Sequence, residues 1–363
     1  MTIKMKLLKL LTVVLPVVLL AATATAQTAA SGLMKSIQIS GFVDGYATWN
    51  FNTPASEQNQ LYNFNTTANS FAFNLAEVKL TKATGAPGTW GFTAALGYGP
   101  AVQIVQSGDL TPNDTSLQNL LQAYGSYKVS KGLQIDFGKF ATPLGAEVIE
   151  TNGNWNYSRS ILFSYAIPFN HTGIRATETL NSKWSVYGMV VNGWNNVTDN
   201  NTSKTLGAGF SFTPSSLVSV AENVISGPEG TGNNHDLRTV SDTIVTVNPS
   251  SSLSFMGNYD FGEDKTGGTN RWQGVAGYIH YAINTRIAIT PRVEWYSDPQ
   301  GFTTGVAQQL REATLTLEYK AGDHAMTRAE YRVDHSNTPF FSRGSGSLSQ
   351  TQATATLGLI LMF

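Results

Sequence analysis

The chain of 363 residues contains no cysteine. Disulfide staples and thiolate metal sites are therefore excluded. Histidine is scarce: His171, His235, His280, His324 and His335 are the full set. Their spacing from serines and acids offers no nucleophile–base–acid constellation, and Gly-x-Ser-x-Gly is absent. The expectation is a protein that is not an enzyme and carries no cofactor. No block of Lys or Arg and no basic–aromatic interleaving occurs, so nucleic acid is not an expected partner. After the first 26 residues no run of about twenty apolar residues appears, which rules out helical membrane spans.

Residues 1–26 read as an export signal. Lys4, Lys6 and Lys9 form a basic start, residues 7–22 an apolar stretch, and Ala24-Thr25-Ala26 a small-x-small cleavage site before Gln27. Its removal takes away three lysines and no acid, moving the formal charge from −1 to −4. Residues 27–363 are then expected to form one domain, with 27–35 as a short leader.

The remainder is rhythmic. Sixteen strands are expected, at 36–51, 70–81, 90–100, 118–129, 133–140, 171–180, 184–195, 204–213, 217–226, 237–248, 253–261, 271–283, 286–296, 310–319, 325–335 and 351–363. Alternation of period two is plain in several. Ile37, Ile39, Val43, Ala47 and Trp49 oppose Gln38, Ser40, Asp44, Thr48 and Asn50. Ala353, Ala355, Leu357, Leu359, Leu361 and Phe363 share one face of the last strand. An apolar row that runs to an aromatic terminus suits a strand lying in lipid. In 70–81 the parity changes between Phe73 and Val78, which asks for a bulge near Ala76-Glu77. Alternation is weak in 217–226 and 237–248.

The gaps sort into two classes. Short ones (82–89, 130–132, 181–183, 214–216, 249–252, 284–285, 320–324) alternate with longer ones (52–69, 101–117, 141–170, 196–203, 227–236, 262–270, 297–309, 336–350). With the N-terminus in the periplasm, the long ones face outward. Trp49, Tyr98, Trp194, Trp272 and Trp295 are then expected in an outer aromatic belt, and Trp90 and Trp184 in an inner one. The fold class is all-β: a transmembrane antiparallel up-and-down barrel, closed because an open edge in lipid would leave backbone groups unpaired.

The third long connection, 141–170, carries Ile161-Leu162-Phe163, Tyr165, Ile167 and Phe169, which need burial. Folding back into the barrel would meet that need and bring Glu147, Glu150 and Arg159 to a constriction. A lid over the rim and a longer strand through 157–170 are the other solutions. Arg175, Arg292, Glu294, Glu312, Glu318, Arg328, Glu330, Arg332 and Asp334 fall on inward rows, as they would be costly in lipid. They either set a transverse field for solutes or brace the wall. On the first register of strand 133–140, Lys139 faces water, although Phe137 and Phe140 disagree in parity. Asp260, Glu263 and Asp264 in a Gly-rich gap read as a solvated acidic tip or a Ca2+ site.

Several segments carry a family resemblance: GFVDGYATWNFN (41–52), FNLAEVKLTK (73–82), QAYGSYKV (122–129), GLQIDFGKFATPLGAEVIE (132–150), NWNYSRSILFSYAIPFNHTGIR (154–175), VVNGWN (190–195), VISGPE (224–229) and PRVEWYSDPQGF (291–302). In these the chain resembles the β-barrel porin-2 (OmpL-like) proteins of Gram-negative outer membranes. The resemblance implies a porin and supplies no catalytic residues. It marks Glu147, Asn156, Tyr157, Arg159 and His171 as pore-lining candidates. The expected function is passive diffusion of small hydrophilic solutes or ions, in contact with outer-membrane lipid and lipopolysaccharide. The strand ending in Phe363 is expected to engage the barrel-assembly machinery, and an oligomer is left open. Three other readings stand beside this one. They are a non-conducting scaffold or receptor barrel, a barrel-borne enzyme, and a sugar-selective channel using Trp155, Tyr157 or Tyr165.

Overall fold

The computed structural model describes residues 36–107, 117–344 and 346–363. The expected export signal and leader lie outside the described residues. The strands are β1 (Gln38–Asn50), β2 (Ser70–Lys82), β3 (Trp90–Tyr98), β4 (Leu120–Lys128), β5 (Leu133–Ala141), β6 (Asn170–Thr179), β7 (Trp184–Val191), β8 (Thr205–Ser215) and β9 (Val218–Pro228). They continue with β10 (Leu237–Ser250), β11 (Leu253–Asp264), β12 (Asn270–Ala282), β13 (Ile287–Asp298), β14 (Gln308–Lys320), β15 (Ala325–Ser336), β16 (Phe341–Ser342), β17 (Leu348–Ser349) and β18 (Thr351–Met362). Sixteen of these close into an antiparallel barrel, each paired with its sequence neighbours and β1 with β18. The seam runs from Phe42↔Met362 to Asn50↔Thr354. It is locked by the reciprocal backbone bonds of Gly41 and Phe363, at 3.1 and 3.0 Å. The small β16–β17 hairpin sits in the last long connection and was not foreseen from sequence.

Side chains separate by parity. On β14, Leu315 and Leu317 are exposed outward while Glu312, Thr314, Thr316 and Glu318 are buried inward. On β18, Leu357, Leu359, Leu361 and Phe363 face out against buried Gln352, Thr354 and Thr356. This is the arrangement hydrocarbon outside and polar groups inside require. The two weakly alternating strands are present as β9 and β10 in continuous register. The parity change in β2 occurs at Asn74-Leu75, two adjacent buried residues, slightly before the expected place.

Some expectations need correction. The strand expected to reach residue 100 stops at Tyr98; Gly99, at φ 132°, turns the chain into helix α1 (Pro100–Gln106), with proline at its first position. Lys139 does not face water: it is buried, and its Nζ donates to Gln106 Oε1 at 2.6 Å. Phe137 points out and Phe140 in, which resolves the conflict in β5. Trp49, Tyr98, Trp90 and Trp184 are exposed as an aromatic belt needs, and Trp295 is half-buried. Trp272 is not in a belt. It shares the inward parity of Gly274, Ala276 and Tyr278, is buried, and donates from Nε1 to the Ala166 carbonyl at 3.1 Å. Trp194 is half-buried and stands edge-on to it. Asp260, Glu263 and Asp264 lie on β11, not in a loop tip. Asp264 pairs with Arg238 and Glu263 with Arg271, both at 2.8 Å.

Candidate functional site

The connection from β5 to β6, residues 142–169, lies inside the barrel. It begins beside β6, where Thr142 Oγ1 meets His171 Nε2 at 3.1 Å. The Gly145 amide donates to Asp242 on β10, and Ala146 to Asn258 on β11. Glu147 pairs with Arg292 on β13 at 3.0 Å. Farther along, Glu150 meets Lys79 on β2 at 2.8 Å, and Thr151 donates to Asp44 on β1. Helix α2 (Ile161–Tyr165) follows, capped by Ser160 Oγ, which accepts from the Phe163 amide at 3.0 Å. No strand runs through 157–170; the apolar run that needed cover is this buried turn, with Ile161 and Leu162 wholly enclosed.

Most of this segment is irregular, so its backbone groups lack ladder partners and must find others. The charged wall supplies them. Glu330 accepts from the amides of Tyr157 and Ser158, at 2.8 and 3.1 Å. Glu294 accepts from Ile161 and Leu162 at the start of α2. Arg328 donates to the carbonyls of Thr151, Asn154 and Asn156 while pairing with Glu318 at 2.8 Å. Arg332 reaches the Arg159 carbonyl at 2.8 Å and pairs with Asp334 at 2.7 Å. Within the segment, the Arg159 guanidinium gathers the carbonyls of Val148, Ile149 and Tyr157. Five guanidinium donors in a fixed fork suit this work better than an ammonium would.

Arg292 is the centre of the wall network. Glu147, Glu294 and Glu312 all lie within 3.4 Å of it, with side chains at most 3% exposed. Taking such charges out of water costs several kcal/mol each, so a network this complete is needed to offset it. Tyr157 donates from its hydroxyl to Asp44 Oδ1 at 2.6 Å, and its ring lies against Gly358 of β18. A Cβ at Gly358 would come within 2.2 Å of that ring.

Of the sequence candidates, Glu147, Asn156, Tyr157, Arg159, His171, Arg292, Glu294, Glu312, Arg328, Glu330 and Arg332 are buried between the inner segment and the wall. Glu150 and Arg175 stay partly exposed. So do Lys79, Gln134, Thr177 and Tyr187, inward residues of β2, β5, β6 and β7. Arg175 is held by Asp136 at 2.8 Å. Asp44 and Asp242 were not singled out from sequence, yet each is a hub. Asp44 accepts from Asn74, Thr151 and Tyr157, and Asp242 from Asn223, Asn258 and Gly145. A lone acid in the inward row of a strand was the signal available for both. Among the described residues no group of three or more His, Asp or Glu could hold a metal ion.

The family described as "Putative beta-barrel porin-2, OmpL-like" matches residues 36–363. This chain belongs to that family. No curated protein matches its sequence. Solved structures share the barrel of this porin-family member at low identity. An anion-selective porin from Comamonas acidovorans has TM-score 0.63 and 9% identity, over 90% of this chain and 99% of that one. The outer-membrane channel DcaP of Acinetobacter baumannii has TM-score 0.60 and 11% identity, over 90% and 97%. Outer-membrane-expressed OmpT of Vibrio cholerae has TM-score 0.59 and 10% identity, over 90% and 97%. At such identities the likeness concerns the fold: an outer-membrane barrel of the porin and channel type.

Proposed function

We propose that the protein is a narrow passive channel for small hydrophilic solutes or ions in the outer membrane, with its N-terminus periplasmic and its long connections outside. Sixteen strands enclose more space than side chains alone fill. The inner segment takes up the side of β10–β15, β18 and β1. Water and solute pass on the other side, along Lys79, Glu150, Gln134, Arg175, Thr177 and Tyr187. The observation that carries this reading is that Lys79, Gln134, Arg175, Thr177 and Tyr187 stay partly exposed on one side of the lumen while the inward charges of β13–β15 are buried. The buried charges of β13–β15 hold the segment in place, and the partly exposed Lys79, Glu150 and Arg175 meet the solute. Mixed signs along the lane, Lys79 with Glu150 and Arg175 with Asp136, favour polar neutral solutes and weak ion preference. Lipid and lipopolysaccharide surround the apolar outer face, and the seam strand ending in Phe363 is the segment offered to the barrel-assembly machinery.

A planar-bilayer recording of the folded full chain is the test. Discrete open steps that scale with salt concentration are expected. Correctly folded barrels that carry no current would instead favour a scaffold or receptor barrel, a reading supported by the dense contacts of residues 142–169 with the wall.

A further inference from the structure

The outward rows of β1, β14 and β18 are apolar at mid-strand, through Val43 and Ala47, Leu315 and Leu317, and Leu357 and Leu359. Those of β9 and β10 are not. Glu222, the fifth of the eleven residues of β9, has the outward parity of Val220 and the exposed Val224. Its neighbours in register are the outward Phe210 on β8 and Thr243 on β10. A tilted strand needs about nine to eleven residues to cross the bilayer, so this carboxylate stands within the hydrocarbon. Among the described residues it meets no cation; Thr243 Oγ1 donates to its Oε2 at 2.5 Å. Glu263 and Arg271 also face outward, but they pair at 2.8 Å near the outer ends of β11 and β12.

Hydroxyls surround the carboxylate. Thr239, Ser241 and Thr243 follow one another on the outward row of β10, and Thr239 shares a hydrogen bond with Ser226 of β9 at 2.7 Å. Exposed small residues continue the patch: Gly188 on β7 and Ala208 on β8 stand in register with Val224 and Ser241. Acyl chains offer no donor to a carboxylate, so this face is costly against lipid alone. Small residues that allow close approach, with polar groups to bond across, join protein surfaces within a membrane, as they do between membrane helices. The two flanks differ in shape. Phe210 and Phe212 stand on the β8 side, and beyond β10 a shallow apolar groove of about 490 Å³ runs over Gly257 and Gly277. A Cβ at Gly257 would meet nothing within 4 Å.

We infer that the outer face of β7–β12 is the contact surface between copies of this chain, arranged around an axis along the membrane normal. Such an axis keeps every copy at one depth. Glu222 of one copy then meets the Ser241 and Thr243 hydroxyls of the next, which supply the donors that lipid lacks. The same rotation carries the Phe210 and Phe212 flank of one copy toward the Gly257 and Gly277 groove of its neighbour. Each copy thus offers both halves of the contact. A partner of another sequence would need a matching acceptor, donors and ridge at this depth; a second copy has them already. The inference goes beyond the channel reading and stands whether or not the lumen conducts.

The test counts chains. Light scattering gives the protein mass of the detergent-folded full chain. Single-molecule photobleaching counts copies in vesicles, through a dye on Asp323→Cys in the exposed turn 321–324. The chain has no other cysteine to take the dye. Two or more chains per particle are expected in both media. Ala208→Trp adds a bulky ring to the outward face and should give single chains. Leu315→Trp, on the outward face of β14, should leave the count unchanged. Mobility on unheated gels checks that each variant has folded. Glu222→Leu should raise the dissociation constant of the assembly roughly threefold to thirtyfold without lowering the thermal stability of the barrel. An unchanged dissociation constant with lowered stability would mean that Glu222 only braces β10, and would overturn the inference. Single chains of the unmodified protein in both media overturn it too, with or without another protein or lipid bound. So does an assembly that survives Ala208→Trp and breaks in Leu315→Trp.

Discussion

Arg292 Nη1 lies 3.0 Å from Glu147 Oε1, joining strand β13 to the segment that crosses the lumen. Both side chains are almost fully buried, at 0% and 3% exposure. Arg292 also donates to the Ser158 carbonyl at 2.7 Å. The wall and the inner segment therefore share one electrostatic network, and removing its centre should release both.

Arg292→Met leaves Glu147, Glu294 and Glu312 without their common cation. A loss of about 3–5 kcal/mol is expected, the usual cost of stranding a buried charge. Glu147→Gln keeps the shape and should cost less, about 1–3 kcal/mol. Urea unfolding in lipid vesicles reads both. In bilayers, Arg292→Met should give larger and noisier steps, because the inner segment is freed to move.

Tyr157→Phe removes the bond to Asp44 and leaves that carboxylate with Asn74 and Thr151. The expected cost is about 1–2 kcal/mol. Gly358→Ala should be worse, because the added methyl meets the Tyr157 ring and cannot be accommodated by β18. The double variant Tyr157→Ala with Gly358→Ala should recover the steric part of the loss. Thermal loss of the compact band on unheated gels orders the four proteins.

Glu229 follows β9 and clasps the connection 192–204. It accepts from the Trp194 amide and the Thr205 hydroxyl, each at 2.7 Å. Burial raises its pKa above the ordinary 4.5. The neutral form is thus favoured in the folded state. Its contribution to stability is complete below pH 4.5 and is lost as pH rises through the raised folded value. A fluorine label on Trp194 should broaden across that window. Glu229→Gln, which cannot titrate, should flatten the response; an equal response in that variant would contradict the assignment.

Glu150 and Arg175 are the sequence candidates left partly exposed, and they should set ion preference. Glu150→Gln should shift the zero-current potential in a KCl gradient toward anions, and Arg175→Gln toward cations. Each shift is a few millivolts to tens of millivolts, on the scale of one charge at a wet site. Glu312→Gln, a buried neighbour of Arg292, should change stability more than selectivity.

The legible part of the sequence was local. Parity in 310–319 and 351–363 placed Leu315 and Leu357 outside and Thr316 and Thr356 inside, because a strand has period two wherever it lies. The failures were non-local. Trp272 has inward parity with Tyr278, but its position at a strand start suggested a belt. Lys139 seemed wet because helix α1 and its Gln106 were not foreseen. Asp242 was missed because 237–248 alternates poorly.

By itself the sequence determined the number of barrel strands, their long-and-short connections and the sign of most faces, since these depend on neighbours along the chain and on the contrast between hydrocarbon and water. Only the tertiary structure decided what the inward charges do. Arg292, Arg328, Arg332 and Glu330 could have faced an open channel, and no local pattern forbids it. They instead hold the backbone of residues 142–169, because an irregular segment drawn inside a barrel must take its hydrogen bonds from whatever wall it meets.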